Sequence, residues 1–123
     1  MTDRILVLLA AINMMLAVAA GAFGAHGLKT RVDADLIAVW NTGVLYHLVH
    51  GLGLLALALL LPRLGSSLIG LAGWLMLAGI VLFSGSLYTL VLTGTRVLGA
   101  ITPLGGVAFI AAWAVVAWAA CRQ

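Results

Sequence analysis

Residues 68–92 read LIGLAGWLMLAGIVLFSGSLYTLVL, twenty-five positions without a Lys, Arg, Asp or Glu. Crossing the hydrocarbon core of a bilayer takes about 20 apolar residues in a helix, so this stretch is long enough to span one. It shows no period-two alternation, and an isolated strand would leave its backbone groups unpaired in lipid, so the reading is a helix. Three runs of the same kind surround it. Residues 44–61 lie between Asp35 and Arg63, residues 97–120 between Arg96 and Arg122, and residues 5–23 between Arg4 and His26. Composition agrees: 65% of the 123 residues are hydrophobic and 7% charged, against about 25% charged in soluble domains. The expected fold class is therefore an all-α integral membrane protein. It is a four-transmembrane-helix antiparallel bundle forming a single domain, 1–123, with helices at about 5–25, 41–61, 67–93 and 102–120.

The segments between the spans carry most of the polar residues. Residues 26–43 hold Lys29, Arg31, Asp33 and Asp35, followed by Leu36, Ile37 and Trp40 at helical spacing. A short interfacial helix between helices 1 and 2 is expected there, with Trp40 at headgroup depth and a bend near Gly43 where it joins the second span. A solvated loop is the plain alternative, and the two aspartates are expected to be solvated in either case. Pro62 and Gly65 should stop the second helix, with Ser66 or Ser67 capping the third. Thr102-Pro103 is a good helix start, Thr as N-cap and Pro at the first turn, which makes 97–101 a dipping connection. A single longer helix kinked at Pro103 is the alternative. Arg4, an apolar run and then Ala17-Val18-Ala19 or Ala20-Gly21-Ala22 would also suit a secretory signal peptide; a retained helix is the expectation.

Antiparallel spans place Arg4, Arg63 and Arg122 on one face (side A) and Lys29, Arg31 and Arg96 on the other (side B). Three cations against three leave the positive-inside rule balanced, and the amino terminus tips side A toward the cytoplasm. Both termini are expected on that side. The net charge of +3 forms no basic patch, so nucleic acid is not an expected partner. One cysteine, Cys121, allows no intrachain disulfide and no zinc site built on cysteine pairs. Small residues matter more where lipid removes the hydrophobic drive between helices. Ala17, Gly21 and Ala25 form a row at four-residue steps, with Ala20 and Gly24 beside it, and this face is expected to pack against another helix.

Four stretches in order, GAFGAHGLK (21–29), WNTGVLYHLVHGLGLL (40–55), GIVLFSGSLYTLVLTG (79–94) and ITPLGG (101–106), resemble a known family. The chain is similar to the small bacterial membrane proteins grouped as domain of unknown function 423, which are related to animal transmembrane protein 256. The resemblance covers nearly the whole chain. It implies a four-helix, multi-pass protein of the bacterial plasma (inner) membrane, and it implies no reaction.

Candidate functional residues follow from polarity at depth, because buried polar groups in hydrocarbon need partners and ionisable ones mark sites. His47 and His50 are three residues apart and share a helix face. Together with His26, Tyr46 and Tyr88 they are expected to converge in one polar cluster near side B. Ser84, Ser86, Thr89 and Thr102 lie toward the same side, whereas side A offers chiefly Asn13. The plain reading of His47 and His50 is interhelical hydrogen bonding to Tyr88, Ser84 or a backbone carbonyl. A metal site on His26, His47 and His50 is a weaker one, since zinc takes four ligands and no thiol or carboxylate is near. No cofactor is expected. Trp113 and Trp118 are expected to face lipid or headgroups, and Trp74 to pack between helices. Residues 42–49 and 84–91 share the pattern small hydroxyl, Gly, any, Leu, Tyr, any, Leu, Val, which in so biased a sequence is expected by chance. No span carries a carboxylate to complete a hydrolytic triad and no phosphate-binding motif occurs, so an enzyme is not expected.

Three classes of function stay open. The first is a structural or accessory membrane component acting through lateral helix contacts, with lipids and a larger membrane complex or homo-oligomer as partners. The second is a binding or redox module built on the His/Tyr cluster. The third is a subunit of a small oligomeric transporter or channel.

Overall fold

In a computed structural model of the chain the described residues are 1–122, the side chain of Ser66 excepted. Four helical rods, Asp3–Leu28, Ala34–Leu64, Ser67–Thr93 and Arg96–Cys121, are each long and apolar enough to cross a membrane. They pack as an antiparallel bundle. The first rod is helix α1 (Asp3–Phe23), opened by Thr2, whose hydroxyl accepts from the Ile5 N–H at 3.3 Å. It is prolonged by a π-helical turn, Gly24–Leu28. Helix α2 (Ala34–Leu64) follows a short turn. The third rod is α3 (Ser66–Gly79), a second π-helical turn (Ile80–Ser84) and α4 (Gly85–Thr93). A 3₁₀ turn (Arg96–Ala100) then leads into α5 (Thr102–Cys121).

Several ends differ from the sequence expectation. Residues 34–40 do not form a separate interfacial helix: they are the first turns of α2, which runs through Gly43 without interruption. Pro62 does not stop α2 either. It lies in the last turn, where its missing N–H costs one bond, to the carbonyl four residues upstream, and almost no helix remains beyond it to be kinked. The break comes at Gly65, whose φ of 92° only glycine adopts readily. This one residue separates α2 from α3 and takes the N-cap position, so Ser67 is not a cap. The cap expected of Ser66 lies outside the described side chains. Gly94, at φ 70°, closes α4 by donating to the Leu90 carbonyl at 2.8 Å. The last helix does begin at Thr102-Pro103, but Thr102 makes no capping bond there. Asp35 is not merely solvated: it accepts from Arg96 at 3.3 Å, an exposed pair joining the two side-B connections.

Helix α2 is the central element, flanked by α1, by the third rod and, more lightly, by α5, which rests mainly on α3. The α1–α2 seam uses part of the expected small-residue row. Ala17 is buried, and a Cβ on Gly21 would lie 3.4 Å from Val44 Cγ1. Ala25, however, is exposed, and Gly24 takes its place at the seam. At about 100° per residue, Gly24 stays within about 20° of the Ala17 line whereas Ala25 drifts about 80° away. Two apolar clusters fill the interior. The larger, toward side A, includes Leu6, Leu54, Leu57, Ile69, Met76 and Phe109. The smaller, toward side B, is built on Leu28, Trp40, Val44, Leu90 and Val91.

Candidate functional site

Between these two clusters lies a layer of polar side chains. His47 is 5% exposed and bonded on both ring nitrogens: Nδ1 is 3.1 Å from the Tyr88 hydroxyl and Nε2 is 3.1 Å from Asn13 Oδ1. The Asn13 amide donates its Nδ2 to the Leu9 carbonyl at 2.8 Å. That bond fixes the amide with its oxygen toward His47, so His47 donates through Nε2–H and Nδ1 receives the Tyr88 hydroxyl proton. The chain Leu9–Asn13–His47–Tyr88 ties α1, α2 and α4 together.

His50, also 5% exposed, belongs to a different group. Its Nδ1 is 2.8 Å from the Tyr46 carbonyl, and its Nε2 accepts from the Trp113 indole N–H at 3.1 Å. A carbonyl only accepts and an indole only donates, so the proton sits on Nδ1 and the ring is neutral. The ring also lies face to face on Phe109, with centroids 3.5 Å apart and planes 10° from parallel. Ser84, fully buried, donates to the Gly43 carbonyl at 2.7 Å. Ser86 donates to the Phe83 carbonyl at 2.9 Å, and its oxygen lies 2.7 Å from the Thr102 hydroxyl. Among the described residues no buried side-chain nitrogen or oxygen lacks a partner.

The five candidate residues are thus not one cluster. His47 meets Tyr88, and His50 stacks at a distance on Tyr46 with centroids 6.1 Å apart. His26 is exposed on the first π-helical turn, away from both histidines. Its position explains this: it lies at the end of α1, where the side chain reaches the headgroup region and needs no interior partner. The trio His26, His47 and His50 therefore does not assemble, and the described residues hold no group of three or more His, Cys, Asp or Glu close enough to bind a metal. Nor is the polar layer at the side-B end. At 1.5 Å per residue His50 lies about 24 Å from the start of α2 and about 21 Å from its end, near mid-depth.

The tryptophans also depart from expectation. Trp40 is not an outward headgroup anchor. It is buried, donates to the Ala20 carbonyl at 2.8 Å, and packs against Phe23 and Tyr88. Room for the indole comes from Gly24, where a Cβ would stand 2.6 Å from Trp40 Cδ1. Trp113 is half-exposed but tied inward to His50, whereas Trp74 is 62% exposed and packs little. Trp118 does face outward, with Arg122 at 6.0 Å over its ring. The two echoing segments, 42–49 and 84–91, lie against each other, Ser84 on Gly43 and Tyr88 on His47. Asn13 and Trp113 were the missed members of the layer. Depth matching marks them, since each lies near the middle of its own rod, as His47 and His50 do.

Tyr46 turns outward, 39% exposed, with its ring 4.3 Å from that of Phe83. Beside it a cleft of about 400 Å³ opens between α2, the second π-helical turn and α5.

A family model described as Protein of unknown function (DUF423) matches residues 20–106. The UPF0382 membrane protein YwdK of Bacillus subtilis is 53% identical over 120 residues, covering 97% of this chain and 98% of the relative. The UPF0382 membrane protein SSP2132 of Staphylococcus saprophyticus is 47% identical over 110 residues, 89% of this chain and 91% of the relative. A UPF0382 membrane protein of Staphylococcus epidermidis is 47% identical over 112 residues, 91% of each. No solved structure matches. An all-α chain with four membrane-length helices, matched from end to end by bacterial membrane proteins, belongs to the family described as Protein of unknown function (DUF423).

Proposed function

We propose that the protein is a non-catalytic structural or accessory component of the bacterial plasma membrane, acting through lateral helix contacts with a larger membrane complex or further copies of itself. The observation that carries this reading is the complete internal pairing of the polar layer. His47, His50, Asn13, Ser84 and Ser86 bond one another, a backbone carbonyl or Trp113. Side chains held in this way fix the helices in register. Neither serine lies beside a base: Ser84 faces a carbonyl and Ser86 a carbonyl and a hydroxyl. The cytoplasmic side carries both termini on this reading, and lipids are the immediate partners. The outward faces of α1 and α5 bear large apolar side chains such as Leu8, Met15, Leu104 and Ile110 that suit lipid or another helix. The test is size-exclusion of the tagged protein extracted from native membranes in a mild detergent. Elution in an assembly larger than one bundle and its micelle is the expected result. Elution as a lone bundle, with unchanged fold, overturns the accessory reading.

A further inference from the structure

The lateral cleft beside Tyr46 has features that helix locking does not require. Its walls are the rings of Tyr46, His50, Phe83, Phe109 and Trp113, and Gly106 forms part of the floor. A Cβ on Gly106 would come no nearer than 3.9 Å to Phe83, so the floor is open rather than tightly packed. A second hollow of about 300 Å³ lies on the other side of Tyr46 and His50, lined also by Leu45 and Val49 on α2. The cleft volume falls in the range of small-molecule sites, roughly 300–1,000 Å³ and mostly apolar with few polar groups.

Three observations define the occupant. His50, Phe109 and Trp113 lie near the middle of α2 and α5, so the cleft opens into the hydrocarbon near mid-depth. A ligand that reaches it must dissolve in hydrocarbon, and a charged headgroup does not. The walls are flat rings, surfaces on which another flat ring stacks in an offset or edge-on arrangement. One polar atom at the cleft remains uncommitted: the Tyr46 hydroxyl makes no hydrogen bond among the described residues, while both nitrogens of His50 and the indole N–H of Trp113 are occupied. A phenol in hydrocarbon donates to a carbonyl when one is offered. We infer that the cleft binds the ring of a lipid-soluble carbonyl compound of the isoprenoid-quinone class, with Tyr46 donating to a ring carbonyl and the chain lying along Leu45 and Val49.

The inference stands apart from the accessory reading, since an isolated bundle keeps the cleft. The chain, carrying Trp74→Phe and Trp118→Phe at two exposed positions, is placed in nanodiscs of phosphatidylethanolamine and phosphatidylglycerol and titrated with decylubiquinone while Trp emission is read. Saturable quenching of the Trp113 share is expected, above a constant emission from Trp40, which is buried in the other cluster. Gly106→Leu, which fills the floor, should leave only the linear collisional part, and Tyr46→Phe should raise the half-saturating mole fraction about fivefold. If Gly106→Leu does not fold, Ile110→Phe at a 72% exposed position narrows the mouth from outside. Quenching that is linear in the parent chain, or equally saturable after the cleft is filled, overturns the inference. So does quenching of Trp113 by brominated acyl chains alone, which makes a phospholipid tail the occupant. An unchanged half-saturation in Tyr46→Phe removes the carbonyl contact from it.

Discussion

His47 and His50 are three residues apart yet meet opposite chemistry. His50 faces an acceptor on Nδ1 and an obligate donor on Nε2, so only one neutral form satisfies both neighbours. His47 faces the Asn13 oxygen on Nε2 and a hydroxyl that can donate or accept on Nδ1. In ¹⁵N NMR of the labelled protein, His50 should show its proton on Nδ1 and His47 on Nε2. A His50 carrying its proton on Nε2 would refute the Trp113 bond. The histidine pair and Tyr88 were legible in the sequence because a polar residue inside an apolar run has to find a partner. What was not legible was the pairing. Asn13 reads as a side-A residue and His26 as a side-B one, and sorting residues by the nearer end of each helix misses a layer that lies near mid-depth.

The two π-helical turns, Gly24–Leu28 and Ile80–Ser84, had no signature in the sequence, because widening one turn changes backbone bonding without changing composition. Each lies where another element presses in. Trp40 reaches the first rod beside Gly24, and α5 meets the second turn at Phe83. The neighbouring glycines of α5 make the contact measurable. A Cβ on Gly105 would stand 2.7 Å from Phe83 Cβ and 2.8 Å from its Cα, atoms that move only with the backbone, whereas a Cβ on Gly106 would meet the Phe83 ring at an ordinary contact distance of 3.9 Å. Gly105→Ala should destabilise the bundle by about 3 kcal/mol or more, at the top of the usual overpacking range. Gly106→Ala should be neutral or gain a few tenths of a kcal/mol from lower backbone entropy. Denaturation in mixed micelles with increasing SDS compares the two directly. Equal stability would mean that α5 does not approach Phe83 this closely.

Four spans were evident from the charges, since Arg, Lys and Asp occur only between or beside the apolar runs. Boundaries were less so. Helix α2 starts near Ala34 because its first turns bury Trp40 against α1, a tertiary reward that no local pattern announces. An even number of crossings makes a direct expectation for topology: reporter fusions at residues 1 and 123 should report the same compartment. Opposite compartments would remove one of the spans.

Gly65 alone joins α2 to α3, while the connections at 29–33 and 94–96 hold Lys29, Arg31 and Arg96, the last paired with Asp35 at the start of α2. The molecule is accordingly lopsided in what it shows. From one aqueous phase the middle of the chain offers little, a single glycine where a hairpin turns with Arg63 and Ser67 beside it. The longer connections face the other phase, where Lys29, Arg31 and the Asp35–Arg96 bridge form a small polar plateau.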